Sequence, residues 1–192
     1  MQQLVLGSTS PFRSVLLEKL GLPFLTDAPD IDESRLPGES PTTLVMRLAE
    51  TKAREVATRH PQALIIGSDQ VACVDGAILG KPGDRENAIA QLTAVSGKTV
   101  KFYTGLCLYD AATARAQVEM ESFTVHFREL DSDQIARYVD REQPFNCAGS
   151  FKSEGLGITL FSALEGRDPN SLIGLPLILL VEMLNDHRIR LP

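Results

Sequence analysis

The sequence predicts an α/β fold with a mixed sheet, on three observations. Apolar runs of strand length alternate with segments whose apolar residues recur at helical spacing. Asp75-Gly76, between Val74 and Ala77, is a two-residue hairpin signal that turns one strand back on itself. Two long runs, around Phe102 to Tyr109 and Gln117 to Arg128, flank a turn at 111–114 and read as an antiparallel pair. Parallel and antiparallel connections together exclude a pure doubly wound sheet.

In chain order, a strand over residues 3–7 feeds a helix over 11–20, with Phe12, Val15, Leu16 and Leu20 on its apolar face. Ser10 caps that helix, Pro11 takes the first helical position where its missing N–H is harmless, and Gly21 ends it. Ser40-Pro41 opens a second helix by the same device, and Lys52 falls inside its apolar stripe. A lysine at the edge of such a stripe carries its head to water. Leu64 to Ile66 form a buried strand, and a helix over 84–96 is capped by Asp84 and ended by Gly97. Asp131 or Ser132 caps a helix with Ile135, Tyr138 and Val139 on one side. The loop NCAGSFKSEGLG, a short strand over 158–161, the polar turn EGRDPN and a C-terminal helix complete the chain.

Composition narrows the function. A chain of 192 residues, 43% hydrophobic and 23% charged, is long enough to bury a core without disulfides or a structural metal. No run approaches the roughly 18 uncharged apolar residues of a membrane helix, and no export signal opens the chain, so the expected location is cytoplasmic. Three scattered cysteines read as reduced buried thiols, and three distant histidines leave little for a zinc site or a serine triad. A metal here would be a hard, oxygen-bound one. The net charge of −6, with no basic stripe, argues against a nucleic-acid polymer as partner, whereas a small phosphorylated ligand needs only a local positive cluster.

Several residues could form such a cluster. Capping explains Ser10 and Pro11 but not Arg13, which with Ser8 and Ser10 places hydroxyls and a guanidinium at a helix N-terminus. Asp69 follows LIIGS, where a buried strand emerges, and Gly67 to Gln70 interrupt two apolar runs. Ionised groups are almost never buried without a partner, so Asp69 reads as functional. Asp30, Asp32 and Glu33 read alone as a solvated acidic loop and, with Asp69, as oxygen donors for magnesium. Lys81 in GKP is not part of a P-loop, because Gly76 and Gly80 stand one residue too close and no serine or threonine follows. Arg13, Lys52 and Lys81 stand at element ends that an α/β sheet can bring to one crevice. With Asp69 and Glu33 they would make a polyphosphate site with a metal and a base.

STSPFR (8–13), DIDES (30–34), RLAETKA (47–53), IIGSDQV (65–71), GKP (80–82), YTG (103–105), CAGSFKSEGLG (147–157) and EGRDPNSLIGLPL (165–177) resemble, in order along nearly the whole chain, the Maf family of nucleoside-triphosphate pyrophosphatases. Phe12, Gln70 and Glu154 resemble the branch acting on 7-methyl-GTP, where the dTTP/UTP branch typically has arginine, threonine and glutamine. Gly7 and Phe12 depart from the alanine and tryptophan common at those positions.

The resemblance implies one domain over 1–192, with a curved mixed sheet flanked by helices and two lobes around a cleft, similar to inosine-triphosphate pyrophosphatases. It implies a cytoplasmic homodimer that hydrolyses a nucleoside triphosphate to the monophosphate and pyrophosphate with a divalent metal cation, Mg2+ or Mn2+. Asp69 would accept the proton of water, and Glu33 and Asp69 would hold the metal. Ser8, Ser10, Arg13, Lys52 and Lys81 would bind phosphates, while Phe12, Gln70 and Glu154 would set specificity. An aromatic face at Phe12 on a cationic methylated base would add about 0.5–2 kcal/mol, although Phe12 also shares the apolar helix face and reads equally as core. Two alternatives stand beside this reading: a pyrophosphatase for dTTP, UTP or other modified nucleotides, and a nucleotide-binding regulator of cell division.

Overall fold

The computed structural model describes residues 2–189 and residue 191. Seven strands form one sheet in the order β2-β1-β3-β5-β6-β7, with β4 paired to β3. The strands are β1 (Leu4–Gly7), β2 (Phe24–Asp27), β3 (Leu64–Val74), β4 (Ala77–Leu79), β5 (Thr99–Asp110), β6 (Arg115–Phe127) and β7 (Phe161–Glu165). The helices are α1 (Pro11–Glu18), α2 (Pro41–Ala57), α3 (Arg85–Val95), α4 (Ser132–Glu142), α5 (Pro169–Ile173) and α6 (Leu177–Asp186). The sheet is mixed: β1 runs parallel to β2 and β3, while β3–β4 and β6–β7 are antiparallel. No helix among the described residues is long and apolar enough to cross a membrane.

The chain divides into two compact units, residues 1–70, 104–121 and 168–192, and residues 71–103 and 122–167. In the first, strand alternation sorts two cores. Leu4, Leu6, Leu64, Ile66, Leu106 and Leu108 pack with Leu16 and Leu17 of α1 and Leu177, Leu180 and Leu184 of α6. Val5, Ile65, Cys107 and Tyr109 turn the other way, onto Ala49, Ala53 and Val56 of α2. Small residues bring α2 close. A Cβ on Gly67 would lie 2.1 Å from the Ala49 carbonyl oxygen, and one on Gly105 2.2 Å from that of Val45.

In the second unit Asp75 and Gly76 both take positive φ in the β3–β4 turn, as the hairpin signal predicts. Phe151 packs edge-to-face with Phe102, Phe127 and Phe161 at centroid distances of 5.4, 5.6 and 4.8 Å. Asp84 and Asp131 cap α3 and α4 by accepting from the backbone N–H of Asn87 and Gln134.

Three expectations about the fold need correction, and one strand was not expected. Asp69 does not follow a strand end: β3 runs unbroken through Gly67 to Gln70, because each polar side chain there finds a partner. Residues 156–160 form a 3-10 turn, and the strand expected at 158–161 begins at Phe161 instead. The C-terminal helix is two helices, broken after Gly174, whose φ of 123° no other residue type adopts readily. The short strand β2 carries no alternation that the sequence could reveal, with only Phe24 and Asp27 partly buried.

Candidate active site

Three segments of the first unit build the site. Pairing of β1 with β3 ends at Gly7 opposite Gly67, so Ser68, Asp69 and Gln70 run past the carboxyl end of β1. Parallel α/β sheets place ligands there. Alternation sends Gly67 and Asp69 toward α2 and Ser68 and Gln70 to the opposite face.

On the α2 face Lys52 is only 5% exposed. Its Nζ lies 2.7 Å from Asp69 Oδ1 and 2.8 Å from Glu33 Oε1, so the snorkelling expectation gives way to a buried ion pair. Burial pushes the Asp69 carboxyl above its usual range, and the Lys52 and Arg13 charges offset this only in part. Glu33 arrives on a pinned loop. Asp30 N–H donates to Glu55 Oε2 at 3.1 Å, Arg47 Nη2 to the Ser34 carbonyl at 3.0 Å, and Arg47 forks onto both Glu39 oxygens at 2.6 and 2.9 Å. Asp32 is occupied locally, accepting from Ser34 N–H, so Glu33 is the member of the acidic loop that reaches Lys52.

On the opposite face Ser10 caps α1, and the Ser8 hydroxyl oxygen accepts from Ser10 N–H at 3.1 Å and Arg13 Nη1 at 3.4 Å. Arg13 Nε donates to the Gly174 carbonyl at 2.9 Å, which also accepts from Ser68 Oγ. Among the described residues the Ser8 and Ser10 hydroxyl oxygens act as acceptors in these bonds, and Arg13 bonds through Nε and Nη1. Burial lowers the Arg13 pKa against the opposing pull of Asp69 and Glu33, yet a guanidinium keeps its charge. Phe12 is half-buried and belongs to neither core of the first unit.

In the second unit Lys81 and Glu154 are exposed. Gln91 donates to the Gly80 carbonyl and Asn87 to that of Pro82, fixing Lys81 from both sides. Glu154 lies between Lys152, whose N–H donates to the Tyr138 hydroxyl, and Leu156, whose N–H donates to Glu142. Burial raises the Cys147 thiol and pushes that of Cys107 up to about 12, which disfavours a thiolate at both.

No group of three or more histidine, cysteine, aspartate or glutamate side chains gathers to hold a metal among the described residues. Glu33 and Asp69 nevertheless bring two carboxylates to one ammonium. One or two carboxylates suffice for magnesium, which fills its shell with water and phosphate oxygens. The residues fit such an ion.

Residues 3–187 match the family described as Maf-like protein. The chain belongs to the Maf family. Two similar Maf relatives are the 7-methyl-GTP pyrophosphatases of Alcanivorax borkumensis, 63% identical over 98% of this chain and 96% of that protein, and Vibrio vulnificus, 60% identical over 95% and 93%. The solved structure of the Staphylococcus aureus Ham1 protein shares the fold, with a TM-score of 0.55 at 13% identity over 97% of this chain and 100% of that one.

The sequence missed the partners of this site. Asp168, Ser171, Thr104 and Ser68 are all buried polar residues bonded around it. Asp168-Pro169 repeats the capping device of Ser10-Pro11 and Ser40-Pro41, a signal that was present within the expected polar turn.

Proposed function

We propose that this Maf protein hydrolyses 7-methyl-GTP to 7-methyl-GMP and pyrophosphate. The observation that carries the reading is Asp69, a buried carboxylate of raised pKa paired with Lys52 and within the field of the Arg13 charge. The naming of its close relatives supports it. Water adds across the α–β anhydride link: its oxygen bonds to phosphorus, the bridging P–O bond breaks, and pyrophosphate leaves. Asp69 Oδ2, free of the Lys52 contact, takes the proton of that water. Lys52 has three N–H bonds, of which Asp69 and Glu33 take two, leaving one for a phosphate oxygen. Arg13 Nη2 and the Ser8 and Ser10 hydroxyls donate to phosphate oxygens at the start of α1, where free N–H groups favour anions. A magnesium or manganese ion held by Glu33 and Asp69 would supply charge neutralisation on phosphate oxygens.

The resemblance of the GKP and SFKSEG motifs assigns Lys81 to phosphate and Glu154 to the base. Phe12, outside both cores of its unit, is assigned to base stacking. A homodimer in the cytoplasm completes the reading, and light scattering at twice the chain mass is its measurement. The function is tested by pyrophosphate release from 7-methyl-GTP, GTP, UTP and dTTP with Mg2+ or Mn2+. Preference for 7-methyl-GTP upholds it; preference for UTP or dTTP keeps the reaction and overturns the assignment of Phe12, Gln70 and Glu154. A protein that binds nucleotide without cleaving it would act as a regulator instead.

A further inference from the structure

Gln70 is held in one sense only. Its Nε2 lies 2.7 Å from the Ser171 carbonyl oxygen, 3.2 Å from that of Leu172 and 2.9 Å from Thr104 Oγ1. Carbonyl oxygens only accept, so the amide nitrogen must face them and the assignment of nitrogen and oxygen is fixed. The Thr104 hydroxyl spends its single proton on the Ser171 carbonyl at 2.9 Å and therefore accepts from Gln70. The two amide protons of Gln70 are thus shared among three acceptors. The amide oxygen Oε1 is therefore the end turned away from these three acceptors.

The carbonyls that impose this sense are themselves fixed. Asp168, fully buried, accepts from Asn170 N–H at 2.8 Å and Asn170 Nδ2 at 2.7 Å through one oxygen, and from Ile178 N–H at 2.8 Å through the other. Its own carbonyl accepts from the N–H and hydroxyl of Ser171 at 3.0 and 2.6 Å. One carboxylate thus ties the start of α5 to the start of α6 and sets the segment between, including the Gly174 carbonyl that orients Arg13.

We propose that Thr104 and Asp168 are positioning residues for specificity: they lock the Gln70 amide with its nitrogen inward, so that Gln70 offers a substrate base an acceptor and never a donor. This rests on the pyrophosphatase reading for its substrate. On its Watson–Crick edge guanine presents two donors, N1–H and the 2-amino group, whereas adenine presents its 6-amino donor beside an N1 acceptor, so a locked acceptor set opposite the ring nitrogen favours the first and opposes the second. A freely turning glutamine would serve both.

Two readouts test it, and one is independent of turnover. In 15N-labelled protein without nucleotide, the side-chain NH2 of Gln70, assigned by its loss in Gln70→Ala, is expected to exchange slowly with water. Thr104→Val and Asp168→Asn should both speed that exchange, Thr104→Val being the near-isosteric change should Asp168→Asn not fold. The second readout is the ratio of kcat/KM for 7-methyl-GTP over ATP. Thr104→Val should lower it roughly three- to tenfold, the worth of one hydrogen bond, and should lower it no further in the Gln70→Ala background. Fast exchange of the Gln70 amide in wild type overturns the lock. An unchanged ratio in Thr104→Val, or a full further loss in the Gln70→Ala background, overturns its role in specificity. Slow exchange in a protein that cleaves none of these nucleotides would overturn the pyrophosphatase reading while upholding the lock.

Discussion

Asp69 owes its chemistry to an imbalance. Desolvation raises its pKa, and Lys52 at 2.7 Å recovers only part of the cost, so the carboxylate is a stronger base than one in water. A base works ionised, so kcat/KM should fall as pH drops through a value above the ordinary carboxylate pKa of about 4. Lys52→Met removes a group that lowers that pKa. The acid limb of its pH–rate profile should therefore move upward, beyond any fall in the plateau. Anomalies such as Asp69 and Lys52 were legible because each breaks an apolar pattern. Their pairing was not, since the ligands of one ammonium come from a loop before α2 and a strand after it, and only tertiary packing brings them together. Gln70 and Ser171 stand 101 residues apart, beyond any local signal.

At the scale of elements, close packing of α2 on β3 sets the reach of Lys52. Gly67→Ala would drive a methyl group into the Ala49 carbonyl, and α2 would have to retreat. Thermal unfolding should show a loss of roughly 1–3 kcal/mol, accompanied by a loss of turnover as Lys52 withdraws from Asp69. The loop bearing Glu33 is held by charge. The hydrogen bonds from Arg47 keep Glu39 down at about 2, and those from Arg59 and His60 do the same for Asp27. Carboxylates with depressed folded pKa values stabilise fully above their unfolded values of about 4, and this stabilisation disappears as pH falls through about 2. The melting temperature should drop across that window, and Arg47→Gln should flatten the part due to Glu39. Elements with local signals were legible: Ser10-Pro11, Ser40-Pro41, Asp84 and Asp75-Gly76 each act within a few residues. α5 was not, because its five residues are too few for a helical period to show.

For the molecule as a whole, the alternation of helices and strands, together with the hairpin signal at Asp75-Gly76, made the mixed sheet readable. Two lobes were expected, but the bounds of the two compact units were not legible, because β3, β5 and β6 each contribute residues to both and no linker marks a boundary. Family membership over residues 3–187 rests on motifs spread across both units. The central claim is that Asp69 is the proton acceptor in hydrolysis of a nucleotide anhydride. Its most direct measurement is release of 7-methyl-GMP and pyrophosphate from 7-methyl-GTP by wild type and Asp69→Asn, with circular dichroism showing both folded. Equimolar products from the wild type and a loss of roughly 10²–10⁴-fold in kcat for the variant are predicted. Turnover by Asp69→Asn within a few-fold of wild type would contradict the account.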